Sequence, residues 1–108
     1  MGAFAGYDMP LYYGEGVMDE HEWVRKHAVI FDVSHMRQLI ISGAGAQAFL
    51  ETITPSSYGK APHGRAKLTV MTNEQGGIVD DLIVTKLEDD KFFAVINAGC
   101  RDTDYEWM

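Results

Sequence analysis

The sequence predicts an α+β fold: an antiparallel β-meander covered by two or three helices. Two observations lead there. The last third carries β-rich runs at 66–71, 78–87 and 92–96, separated by short turn-forming stretches at 73–77 and 88–90. Connections that short force neighbouring strands to run antiparallel. Upstream, segments 17–28 and 44–53 read as helices, which would close one face of such a sheet.

Residues 3–14, AFAGYDMPLYYG, place aromatic residues around Pro10 between glycines. Proline fixes its own φ and pushes the preceding residue toward extended geometry, so this stretch reads as an ordered extended loop. Its rings are expected to pack on the body of the domain. From 17 to 28, Val17, Met18, Val24 and Ala28 recur at helical spacing, with His21 and Trp23 on or near that stripe. Asp19, Glu20 and Glu22 come early and Arg25, Lys26 and His27 late, which complements the helix dipole. Residues 29–33 and 37–42 are β-branched and apolar and read as strand segments on either side of Ser34-His35-Met36. A helix at 44–53 follows and is closed by Pro55, with a loop at 56–64. The closing residues, Tyr105 to Met108, resemble the first turns of another helix, as a domain fragment or a partial reading frame would leave them.

At 108 residues the chain is one domain's worth or less, and 46% apolar with 23% charged residues is ordinary for a globular protein. A net charge of −7 with scattered Lys and Arg disfavours nucleic acid as a partner, because phosphate contacts need a basic surface. The one cysteine, Cys100, has no internal partner for a disulfide, and no apolar run approaches the ~20 residues of a membrane span. No secretory signal opens the chain, so a cytoplasmic location without membrane attachment is expected.

Several motifs compete for a chemical role. Gly43-Ala44-Gly45-Ala46-Gln47-Ala48 fits the dinucleotide fingerprint G-x-G-x-x-A, yet the parallel strand with its acidic end about 20 residues on is missing, which favours a plain strand-to-helix turn. His21, His27, His35 and His63 share no ligand spacing with each other or with Cys100, so no metal site is expected. Ser34 and His35 are chain neighbours and would point to opposite sides of an extended segment, a poor nucleophile–base pair.

The acidic pair Asp80-Asp81 stands out, because aspartate is disfavoured in mid-strand. Alternation sets Asp81 with Val79, Ile83 and Thr85, and Asp80 with Ile78, Leu82 and Val84. Both neighbourhoods are apolar, so at least one carboxylate should be poorly solvated, with a raised pKa suited to hydrogen bonding or proton transfer. The plain alternative is a carboxylate capping the turn at Gly76-Gly77, and strand chemistry does not choose between them. Asn97 ends the third strand on the face of Phe93 and Val95, where a helix cap or turn former is the simpler reading. Met36 on the same grounds is simply core.

Taken together, AGYDMP at 5–10 with Tyr13, EHEWVRKHAVIFDVSHM at 20–36, NEQGGIVDDLIVT at 73–85 and VINAGC at 95–100 resemble the glycine-cleavage T-protein family of tetrahydrofolate-dependent aminomethyltransferases. The matches occur in family order across essentially the whole chain. The resemblance implies that 1–108 is a partial N-terminal folate-binding domain whose remaining family domains lie outside it. It implies transfer of a one-carbon unit from the aminomethyl-lipoyl arm of the H-protein to tetrahydrofolate, with release of ammonia. Tetrahydrofolate is then bound as a substrate, and the location is the mitochondrial matrix in a eukaryote. The family aspartate beside the pterin nitrogens corresponds to Asp81, and Met36, Val95 and Asn97 fall at folate-pocket positions. Two residues depart from the family pattern: Leu68 where a tyrosine is usual, and Arg37 where glycine is common after SHM. The competing readings are another folate-dependent relative, of the sarcosine or dimethylglycine type or of iron–sulfur assembly, and a fragment without catalysis.

Overall fold

In a computed structural model, which describes residues 1–108, the chain forms two compact units, Met1–His35 and Met36–Met108. The first contains β1 (Gly2–Phe4), β2 (Tyr7–Met9) and α1 (Val17–Val24). The second runs through β3 (Arg37–Ser42), α2 (Ala46–Ile53), β4 (Ala66–Thr72), β5 (Ile78–Glu88), β6 (Lys91–Ile96) and α3 (Arg101–Trp107).

The second unit is the predicted α+β layer. Its sheet has the order β3-β6-β5-β4, antiparallel throughout. The meander β4-β5-β6 follows from two tight turns, and β3 completes the sheet by pairing with the free edge of β6. The first turn is built from side chain and backbone together. Asn73 Oδ1 accepts from the N–H groups of Gln75 (3.1 Å) and Gly77 (2.8 Å), while Gly76 takes φ +77°, where a Cβ would be strained.

One face of this sheet holds the core. Met71, Leu82, Val84, Phe92, Ala94 and Ile96 are buried there against Ala46 and Leu50 of α2 and the ring of Tyr58. Met108, at the end of α3, packs against the same cluster. α2 begins after Gly43, whose φ of +118° and N–H bond to the Asp90 carbonyl (2.9 Å) tie the β3–α2 turn to the β5–β6 turn. The nucleotide-like glycines therefore serve a turn out of an antiparallel strand. α2 stops where Thr54 adopts an extended conformation before Pro55. Below it Tyr58 Oη meets Thr54 Oγ1 at 3.1 Å, and Glu51 Oε1 accepts from the Tyr58 N–H at 2.7 Å. The opposite sheet face is open, with Ile40, Leu68, Ile83 and Leu87 exposed.

The first unit departs from the sequence expectation in several ways. Residues 3–14 are not an extended loop throughout: Gly2–Phe4 and Tyr7–Met9 pair as a hairpin around Ala5 and Gly6, both at positive φ. Alanine rarely adopts that conformation, so the turn is not advertised by its residue types. Phe4, Tyr7, Tyr12 and Tyr13 are exposed. The helix ends at Val24, four residues early, and none of its residues is buried. Finally, 29–33 is irregular rather than a strand, with no ladder partner for its β-branched residues.

Candidate functional site

The end of the sheet where β5 leaves its turn gathers the chemistry. Met36 immediately precedes β3 and Asn97 immediately follows β6, and the ladder between those strands begins at Arg37↔Ile96. Leu82 pairs with the same Ile96, so Asp81, one residue earlier, reaches that end as well. Val95 lies one step in, opposite Gln38 and Ile83. Met36, Val95 and Asn97 are each half-buried.

Asn97 joins the acidic pair. Its Nδ2 donates to Asp80 Oδ2 at 3.3 Å, to Asp81 Oδ1 at 3.1 Å and to the Asp81 carbonyl at 3.2 Å. It is therefore not a helix cap: α3 is preceded by Cys100, and no side chain caps it.

Alternation separates the two carboxylates and one of them is poorly solvated, as expected, but its pKa is not raised. Asp80 lies on the core side with Leu82 and Val84, while Asp81 is exposed on the open side with Ile83. The poorly solvated member is Asp80. Sequence alternation shows that the two residues face opposite ways, but which face is covered depends on where α2 and α3 lie. Desolvation pushes the Asp80 pKa up, yet hydrogen bonds from the Asp81 backbone N–H, Asn97, Asp104 and Cys100 together outweigh it and hold the carboxyl below its ordinary value. The Cys100 thiol, facing Asp80, is raised in turn, first by its hydrogen bond to that carboxylate and then by the negative charge itself.

Asp104, on α3, completes the group and is invisible to motif reading. It is 1% exposed, and neither of its carboxyl oxygens has a donor. Burial first, then the charge of Asp80, raises its pKa from 3.8 to about 6. Nothing in RDTDYEW distinguishes it from an ordinary acidic residue in a first helical turn; only the packing of α3 against β5 does. Arg37 anchors the same helix, with Nη1 3.4 Å from Asp102 Oδ1 and its guanidinium 4.5 Å over the Tyr105 ring. Leu68 is exposed on the open face, opposite Ile83. No set of three or more His, Cys, Asp or Glu side chains is arranged to hold a metal ion.

Fold and site together define an α+β domain that presents an acidic pair, steadied by an asparagine, beside an uncovered apolar sheet face. The family profile described as the GCVT N-terminal domain matches residues 1–108, and the chain belongs to that family. It is 46% identical over its whole length to the mitochondrial aminomethyltransferase of Saccharomyces cerevisiae, and 43% identical over 97% of its length to the aminomethyltransferase of Prosthecochloris aestuarii. The crystal structure of the glycine cleavage system aminomethyltransferase T from Bartonella henselae superposes on 98% of the chain with a TM-score of 0.92 at 40% identity. The chain spans 28% and 29% of the two sequence relatives and 29% of the solved chain. No helix is long and apolar enough to cross a membrane.

Proposed function

We propose that this chain is the folate-facing segment of an aminomethyltransferase, which takes a one-carbon unit from the aminomethyl-lipoyl arm of an H-protein, passes it to tetrahydrofolate and releases ammonia. Residues 1–108 then act as a partial N-terminal folate-binding domain. The observation that carries the reading is the pair of Asn97 hydrogen bonds to Asp80 and Asp81, which holds a free carboxylate at the rim of an apolar sheet face.

The chemistry suits a reduced pterin, which combines flat apolar faces with ring N–H donors. Asp81 accepts a hydrogen bond from such a ring, and its negative charge favours proton departure from a nitrogen that is being alkylated. Val95, with Ile83 beside it, offers the apolar surface, and Asn97 and Met36 bound the site at the strand ends. With Asp81 open to water the segment by itself lacks the dry surroundings that strengthen electrostatic catalysis. We therefore expect the 108 residues to bind folate weakly and not to turn over. The partner is the lipoyl-bearing H-protein, and the compartment is the mitochondrial matrix in a eukaryote and the cytoplasm in a bacterium.

Titration of tetrahydrofolate into the chain by calorimetry tests this reading. Saturable heat that disappears in Asp81→Asn supports it, and equal heat from both proteins sinks it. Absence of any heat would favour the reading of a fragment without a working pocket, which the exposure of Asp81 already motivates. A turnover assay with loaded H-protein and tetrahydrofolate should show no product from the chain alone.

A further inference from the structure

We infer that Asp104 is a positioning residue for Asp81, acting through Asp80 and Asn97: as a carboxylic acid it donates to the Asp80 carboxylate and holds a relay whose far end is the Asn97–Asp81 hydrogen bond. The inference rests on the reading of Asp81 as the folate-facing acid and extends it to residues that touch no ligand.

Three observations support it. Asp104 is almost wholly buried, and both of its oxygens lack a donor, an arrangement that is costly for a carboxylate and relieved by a proton. The charges that act on it are negative: Asp80 lies against it from β5, and the charge of Asp81 reaches it from the far side of that strand. The Cys100 thiol from the turn before α3 bonds to Asp80 instead, and Arg101, a turn earlier on α3, lies 3.9 Å from Asp102. Arg37, the cation that β3 brings to this helix, is engaged by Asp102 and the ring of Tyr105. A buried carboxyl whose pKa is shifted only by acidic charges is stable there as a donor, and Asp80 is the acceptor within its reach.

The consequence runs along the relay. While Asp104 keeps its proton, Asp80 is fixed from one side by Asp104 and from the other by Asn97 Nδ2, which also donates to Asp81. When Asp104 ionises, two carboxylates repel across a buried contact and Asp80 is pushed from its place. Asn97 then loses one of its two carboxylate acceptors, and Asp81 loses its fixed orientation.

Nuclear magnetic resonance of the intact chain tests this. The side-chain amide of Asn97 should shift with pH in step with the Asp104 carboxyl carbon, with a common midpoint near the value of about 6 set by burial. Asp104→Asn, which keeps a donor at every pH, should lock the Asn97 amide at its acid-side position. Asp104→Leu, which removes charge and donor alike, should not. A role confined to packing or charge would move both variants in the same way, and that outcome overturns the proposal. So does an Asn97 amide that ignores pH while Asp104 titrates. If the Leu variant fails to fold, Asp104→Ala, which also removes charge and donor alike, takes its place in the comparison with Asp104→Asn. Tetrahydrofolate binding that persists in Asp81→Asn would instead refute the folate-facing reading and leave the carboxyl relay standing.

Discussion

Asn97 shows how much one amide can organise at the residue scale. Its Nδ2, at the end of β6, serves three acceptors on β5, so Asn97→Ala leaves two carboxylates and a carbonyl without that donor. The expected cost is about 1–2 kcal/mol, from the loss of charge-assisted hydrogen bonds at a half-exposed position. Urea unfolding of the variant beside the native chain measures it, and a difference below about 0.5 kcal/mol would mean the bonds contribute little. Tyr58→Phe is a smaller test, removing only the hydroxyl contact to Thr54 in the core. It should cost about 1 kcal/mol. The aspartate pair was legible in the sequence as an anomaly, because acidic residues are out of place in mid-strand. Its partner Asp104 was not, since an aspartate near a helix start is what the helix dipole favours anyway.

Elements differ in how firmly their residues hold them. α2 carries Leu50, fully buried among Val84, Phe92 and the other core residues of the sheet. Leu50→Ala should destabilise the chain by about 2–5 kcal/mol, the range for emptying a packed leucine site. By contrast Met18 on α1 is exposed, and α1 buries nothing, so Met18→Ala should fall within about 0.5 kcal/mol of the native chain. Thermal unfolding of the two variants side by side checks the contrast, and equal losses would contradict the burial pattern. The β4–β5 turn offers an intermediate case: Gly76→Ala at φ +77° should cost about 1–2 kcal/mol. The same contrast explains which elements the sequence could and could not foretell. Strands β4 to β6 announce themselves because β-branched runs and turn residues agree on one arrangement. The stretch 29–33 has equally β-like residues but finds no partner strand, and propensity without a ladder does not make a strand.

Across the whole molecule, stability should peak on the acid side of neutrality. Asp104 titrates near 6 in the folded chain against an ordinary 3.8, so its proton stabilises the fold fully below 3.8, and that contribution is lost as pH rises through about 6. At about 1.4 kcal/mol per pKa unit the loss is at most about 3 kcal/mol. Asp80 and Glu51 act in the opposite sense: their pKa values are lowered on folding, so their contributions are present above the ordinary carboxylate range and lost as pH falls. Melting temperature measured against pH should therefore decline on both sides, and Asp104→Asn should flatten the decline toward neutral pH. A native curve already flat through pH 6 would contradict the assignment. The uncovered sheet face, with Ile40, Leu68 and Ile83 exposed, should also promote self-association at high concentration, which sedimentation equilibrium can measure.

The sequence by itself determined the meander, the helix of α2 and the anomaly of two acids in mid-strand, because alternation, turn chemistry and helical spacing are local and agree with one another. That Asn97 joins those acids came from the register of β5 and β6. Tertiary structure alone decided which acid is buried. Helices close one face of a sheet, and the alternation along β5 is the same whichever face they choose. Packing of α2 and α3 put Asp80 and Asp104 together on the inside and left Asp81 on the outside, because burial is a property of what covers a side chain rather than of the chain that carries it.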